Sequence, residues 1–243
     1  MSKYQLDLLV PSYMTDNGKR LRPSAFLELA QEVAYLGADQ LGFGYDVLAE
    51  HNVAWVLSRM HVHYDKAPLW KDRLVLNTWH KGQNRLFFDR DFHLVDQNGE
   101  SMVRGTSSWL IINTETRRLA RNESVETLFG EGPQDTDNAI GEPCPKITFP
   151  KGVEPEKVAE HRVAYSDVDM IGHANNTRYL DWAMDCIEDE ITYGRTIKDA
   201  YLNYNKEATP GEIVEIYRYR DGDSWYFEGR FNGTSIFTAL ICF

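Results

Sequence analysis

The sequence predicts an α+β fold of two similar modules, each an antiparallel sheet laid against a helix, and three observations predict it. A buried-helix pattern followed by strand patterns occurs twice along the 243 residues. Matching residues recur at matching separations in the two occurrences. Between them, Asn122 to Pro145 carries Glu123, Glu126, Glu131, Asp135, Asp137 and Glu142 with no Lys or Arg, broken by Gly and Pro, which reads as a solvated linker. The modules are therefore placed at residues 1–121 and 151–243, joined by an acidic linker over 122–150.

In the first module a helix is expected over Ala25–Gln40, with Pro23 ahead of it, Ser24 as its N-cap, and Gly42 and Gly44 closing it. Its apolar residues, among them Phe26, Leu29, Ala30, Val33 and Ala34, cover more than one stripe, so it is buried on most sides. Strands follow at Val53–Tyr64, Arg73–Lys81, Leu86–Val95 and Ser101–Ile112, with Asn98-Gly99 as the last hairpin turn. The second module restarts with a strand at Val158–Tyr165 and a helix over Arg178–Ile191 that ends at Gly194. Strands Tyr201–Lys206, Ile213–Arg220, Trp225–Phe231 and Thr234–Phe243 complete it, with turns at Asp221-Gly222 and Asn232-Gly233.

The repeat reaches individual residues. Asp16 precedes Ser24-Ala-Phe-Leu as Asp169 precedes Thr177-Arg-Tyr-Leu, and Tyr64-Asp-Lys-Ala-Pro matches Tyr204-Asn-Lys-Glu-Ala. One module alone leaves an unpaired sheet edge, and joining the two into one sheet removes it. Where the halves differ, His173 is matched by Arg20 and Glu207 by Ala67. One site per chain, in the second half, is the natural reading, with the first half supplying shape for a ligand.

Composition narrows the classes. The apolar fraction of 42% and charged fraction of 26% suit a folded globular chain. No run approaches a membrane span, and no secretory signal is recognised at the start. Cys144, Cys186 and Cys242 form no CxxC, which points to a reducing cytoplasm. A net charge of −11 argues against nucleic acid as a partner. Two local basic clusters, RRLAR (Arg117 to Arg121) and GKRLR (Gly18 to Arg22), stand either as solvated charge or as a landing patch for an acidic partner.

The stretch DVDMIGHANNTRYLDW, Asp167 to Trp182, concentrates the polar groups at a helix start. Backbone amides near Gly172 and His173 would suit a developing oxyanion. The same Asn175, Asn176 and Thr177 are equally good helix caps, with Asp167 as strand-end charge. Glu207, beside Asp169 and His173, is a candidate base for activating water. His61 and His63 alternate on one strand without a further ligand nearby, so strand surface is the reading there. No P-loop, GxGxxG or GxSxG occurs, which removes nucleotide binding and a serine elbow.

Over nearly its whole length the sequence resembles the acyl-ACP thioesterases of plants and bacteria. The resemblance is carried by RLRPSAFLELAQEVA, VAWVLSRMHVHYDKAPLWKDRLVLNTW, GTSSWLIINTETRRLARN and DMIGHANNTRYLDW. It implies a double hot-dog, two antiparallel-sheet modules each wrapped around a long central helix. It also implies hydrolysis of a fatty acyl-ACP thioester to free fatty acid and holo-ACP, with no metal or diffusible cofactor. The family's Asp-x-Asn-x-His string gives Asp169 and His173, its downstream acid gives Glu207, and Asn175 is the candidate for a lost asparagine. Ile171 holds that asparagine's place and Ala208 holds the place of a cysteine. By the same likeness Phe26, Ala30, Val33, Trp55, Leu57 and Met60 bind the acyl chain, and Arg117, Arg118 and Arg121 greet the acyl carrier protein. No membrane partner is implied, and a homodimer stays open. An acyl-CoA thioesterase on the same fold is the nearest alternative. A non-catalytic acyl-binding protein and a dehydratase rank below it.

Overall fold

A computed structural model describes residues 3–84, 86–120 and 135–243. Ten antiparallel strands form one sheet. The first module contributes β1 (Lys3–Leu9), β2 (Val53–Tyr64), β3 (Arg73–Asn84), β4 (Phe87–Asp96) and β5 (Ser101–Asn113), with helices α1 (Pro23–Gln40) and α2 (Tyr45–Glu50). The second contributes β6 (Glu156–Arg162), β7 (Asp199–Tyr204), β8 (Ile213–Asp221), β9 (Ser224–Phe231) and β10 (Thr234–Cys242), with α3 (Arg178–Met184) and α4 (Asp189–Thr192). The order β1-β3-β4-β5-β2-β7-β10-β9-β8-β6 reads the same from either end once the modules are exchanged.

The seam is the antiparallel pair β2·β7, from Arg59 opposite Asn203 to His63 opposite Asp199. Its centre is His61 opposite Tyr201, and the two rings stack with centroids 4.0 Å apart. Both histidines also bond Asp199 Oδ1, each at 2.9 Å. Period-two alternation sends Met60, Val62 and Tyr64 of β2, and Leu74 and Leu76 of β3, to the buried face under α1. Ala25, Phe26, Ala30 and Val33 of α1 meet them at 2% exposure or less. Each fully buried Leu or Phe contributes about 1.5–3 kcal/mol. Gly222 (φ 58°), Asn232 (φ 49°) and Gly233 (φ 74°) take the left-handed conformations the two hairpin turns demand.

Four expectations change. Ser24 is not a cap: extended Arg22 holds that place, Pro23 opens the helix, and Ser24 is buried inside the first turn. The second long helix is absent, because α3 stops at Met184. There Arg218 Nη1 takes the Cys186 carbonyl at 2.6 Å, and Cys186 and Ile187 close short turns instead. Strand β1 and helix α2 were not anticipated; β1 is an edge strand whose alternation Tyr4, Leu6, Leu8 is short. Finally, the acidic linker is not solvated throughout. Its part at 122–134 lies outside the described residues. Beyond it, Ala139, Ile140, Cys144 and Ile147 are buried on the outer sheet face. This strap is tied at Asp91 (Ala139 N–H, 2.7 Å), Thr106 (Cys144 Sγ, 3.2 Å) and Asn203 (Ile147 N–H, 2.6 Å), so it clasps both modules.

Candidate active site

The loop before α3 is shaped by one carboxylate. Asp169 Oδ1 accepts the N–H groups of Ile171 (3.0 Å) and His173 (3.3 Å), and the Asp169 N–H donates to the His173 carbonyl at 2.9 Å. Gly172, at φ 88°, donates to the Asp169 carbonyl, a backbone conformation that favours glycine. The Ala174 N–H then docks on the Ala208 carbonyl at 2.8 Å, next to Glu207. Those bonds bring His173 Nε2 within 3.5 Å of Glu207 Oε2. His173 Nδ1 is buried with no hydrogen-bond partner among the described residues.

The first module builds the same frame and fills it differently. Leu21 N–H bonds the Pro68 carbonyl at 2.8 Å, as Ala174 bonds Ala208, and the bridge Thr15–Leu21 mirrors Val168–Ala174. Ala67 therefore occupies the place of Glu207, and Arg20 that of His173. Arg20 is engaged structurally: it bonds Asp16 at 2.9 Å and the carbonyls of Thr192 and Arg195 at 2.9 and 2.6 Å. Within GKRLR, Arg20 is thus a tie between modules, whereas Lys19 and Arg22 are exposed.

The loop also redistributes the expected roles. The Gly172 and His173 amides already donate to Asp169, so they are not an open oxyanion site. Thr177 holds the N-cap position without a side-chain cap bond, its Oγ1 buried with no partner among the described residues, and Asn175 Oδ1 accepts the Thr177 N–H at 3.0 Å just ahead of the helix. Asp167 is not strand-end charge but a buried anchor. It accepts from the Ala164 N–H at 2.8 Å and pairs with His161 at 2.9 Å. Burial would raise its pKa, but the bonds from His161 and Ala164 outweigh burial and hold it below the usual carboxylate range. The Ile171 side chain is half exposed and has no polar atom to offer, and Ala208 is fully buried.

Glu207 has a partner that the sequence reading assigned elsewhere. Arg117, on the turn after β5, forms an ion pair with it across the module boundary. Arg117 sits at φ 58°, and its N–H bonds the Asn113 carbonyl at 2.9 Å, so the turn fixes the point from which the side chain reaches Glu207. It is therefore not free to greet a carrier. Arg118 is exposed, and Arg121 lies outside the described residues. The pairing joins residues distant in sequence, and the only sequence signal for it was the TRRL segment.

Between the core face of β2–β5 and the C-terminal half of α1 lies a partly open cavity of about 40 Å³. Ala34, Tyr35, Ala38, Phe43, Trp55, His80, Phe88, Arg90 and Trp109 line it. Burial raises the Tyr35 pKa, and the charge of Asp169 raises it further. Of the six residues expected to bind the chain, only Trp55 lies on the wall. Phe26, Ala30, Val33 and Met60 are packed into the core at 3% exposure or less, and Leu57 is half-buried on β2. The cavity face of α1 lies one turn further on, where Ala34 and Ala38 leave the space.

One sheet built of two like modules, with a His–Glu–Asp cluster among the described residues of the second, places the chain among tandem hot-dog proteins. More narrowly, the chain belongs to the acyl-ACP thioesterase family. Residues 1–126 match the acyl-ACP thioesterase N-terminal domain and residues 151–234 the C-terminal domain. The chain is 30% identical over 233 residues to oleoyl-acyl carrier protein thioesterase 2, chloroplastic, of Arabidopsis thaliana, with 87% of this chain and 61% of the relative covered. It spans about three fifths of the length of such curated relatives. The crystal structure of an acyl-ACP thioesterase from Bacteroides thetaiotaomicron superposes with a TM-score of 0.83 at 26% identity, over 99% of this chain and 97% of that one. A 12:0-ACP thioesterase from Umbellularia californica shares the fold with a TM-score of 0.88 at 22% identity, over 98% and 96%.

Proposed function

We propose that this chain hydrolyses fatty acyl-ACP thioesters to free fatty acid and holo-ACP. The observation that carries the reading is the docking of His173 against Glu207, with Asp169 shaping the loop and a mostly apolar cavity under α1. A separation of 3.5 Å is longer than a direct charge-assisted bond and leaves no room for a water between the groups, so we place the attacking water beside the pair, against Glu207. Glu207 takes a proton from that water as its oxygen attacks the thioester carbonyl. The tetrahedral intermediate collapses, the C–S bond breaks, and the proton passes through His173 to the departing pantetheine sulfur. Arg117 positions Glu207, and Asp169, whose Oδ1 accepts two loop amides, holds the loop that presents His173. Neither Ala208 nor any other residue of the cluster offers a thiol, so water is the nucleophile. Arg118 is the exposed cation we assign to the acidic carrier, and the three free cysteines suit a reducing cytoplasm.

Thiol release from a panel of acyl-ACP chain lengths, with the matched acyl-CoA in parallel, tests this. Glu207→Gln and His173→Ala should each lower kcat by roughly 10²-fold or more while the far-UV spectrum stays unchanged. Near-normal turnover in either variant removes it from the mechanism. Faster release from CoA than from ACP assigns the activity to CoA esters instead.

A further inference from the structure

The cavity is not apolar on every side. Arg90, from β4, reaches its wall on the face under α1 and is 7% exposed. Its Nη1 donates to Thr78 Oγ1 at 3.2 Å, and among the described residues no carboxylate lies within ion-pair distance. A guanidinium carries five N–H donors, so most of these find no protein acceptor. The helix above makes room for it: at Gly37 a Cβ would stand 3.0 Å from Arg90 Nη1. A buried charge without a counter-charge is costly, and a mere core position would be better filled by an apolar side chain.

The neighbours do not supply what is missing. His80, opposite Arg90 in the sheet, has a pKa pushed down to about 4 by burial and by the Arg90 charge, so it is neutral near pH 7. Burial pulls Arg90 itself down to about 10, which leaves it charged. In the second module the position opposite Arg220 holds Trp225. By the offset that relates Tyr64 to Tyr204, exposed Arg220 stands at the place of His80 and buried Trp225 at the place of Arg90, so the second module has no buried arginine at this position. The space around Arg90 is partly open and about 40 Å³ in volume, so it accepts a group of a few atoms beside the guanidinium.

We propose that Arg90 reads an oxygen on the acyl chain, so that the preferred substrates are thioesters of oxygen-bearing acyl groups (hydroxy, oxo or terminal carboxylate) rather than plain alkyl chains. This rests on the thioesterase reading and deepens it by naming the substrate class. The acceptor oxygen takes the unsatisfied guanidinium donors, while Phe43, Trp55, Phe88 and Trp109 cover the methylenes. A plain chain leaves those donors facing carbon and loses the water that would otherwise serve them.

The test is thiol release from carrier-bound acyl groups in matched pairs of equal length, plain against hydroxy, oxo or carboxy, with wild type and Arg90→Met. Wild type should show kcat/KM at least tenfold higher for an oxygenated member than for its plain partner, and Arg90→Met should abolish or reverse that ratio. A wild type that favours plain chains at every length overturns the inference. So does an Arg90→Met variant that moves both members of each pair equally, which would make Arg90 only a length stop. Binding of the free acids, followed by quenching of Trp55 and Trp109 fluorescence in wild type, gives a readout independent of turnover and of the variant's folding. Tighter binding of the oxygenated acid without turnover of any thioester would defeat the hydrolase reading and keep this one. Equal binding of both acids would defeat this one alone.

Discussion

Replacing Arg117 by glycine separates what that side chain does for stability from what it does for Glu207. The ion pair is exposed, 55% at Arg117 and 34% at Glu207, so its contribution to folding is about 0.2–1 kcal/mol. Against this stands the backbone at φ 58°, where a residue with a Cβ costs roughly 1–2 kcal/mol relative to glycine. The two effects nearly offset, and glycine's greater freedom in the unfolded chain moves the balance back by a few tenths. Arg117→Gly should therefore unfold within about 1 kcal/mol of wild type. Activity should behave otherwise: without its partner Glu207 samples rotamers away from His173, and kcat/KM falls roughly 10- to 100-fold, part of the 10²–10⁴ a positioned acid-base group contributes. Urea unfolding and thiol release on the same preparation measure both. Undiminished kcat/KM would refute the positioning role, and a parallel fall in stability of several kcal/mol would show that Arg117 acts through the fold.

Other outcomes follow from the packing and the charges. Gly229→Ala places a Cβ 2.2 Å from the Phe237 ring and 3.0 Å from Val214, so thermal unfolding should show a loss of about 1–3 kcal/mol or more, with the protein failing to accumulate as the extreme. His80 has a folded pKa near 4 against 6.5 in the unfolded chain, so the unfolded state binds the extra proton between those values. Stability from this group is complete above pH 6.5 and falls as pH drops towards 4, by up to roughly 3 kcal/mol. His80→Phe should flatten that part of a stability–pH curve, and an unchanged slope would assign it to other groups.

Much of the fold was legible because it is local. Alternation set the bounds of β2, and the Asn-Gly and Asp-Gly pairs located the turns, since both depend on a few neighbouring residues. The second helix was overextended because what stops it, Arg218, comes from a strand far along the chain. The strap was misread for a related reason: four apolar residues are too few to outweigh its acids in composition, yet each finds a place on the sheet. At the site, His173 and Glu207 were found from the mismatch between halves, and the structure brings them together. Which face of α1 lines the cavity was not legible, because a helix apolar on most sides does not say which turn faces space. Neither Arg117 nor Arg90 could be placed, since a charged residue's partner, or want of one, is a property of the folded neighbourhood.

The shared seam has a consequence for the order of assembly. Arg117 and Tyr35 come from one module and Asp169, His173 and Glu207 from the other, while the modules meet through β2·β7 and the strap. No local unit contains the whole site, and the contacts that complete it span long sequence separations, which form late. On the reading proposed above, the site closes only once the two modules have paired. A break in the strap would leave two halves whose exposed β2 and β7 edges are each other's best partners, so activity restored on mixing them would serve as a direct clock of that final closure.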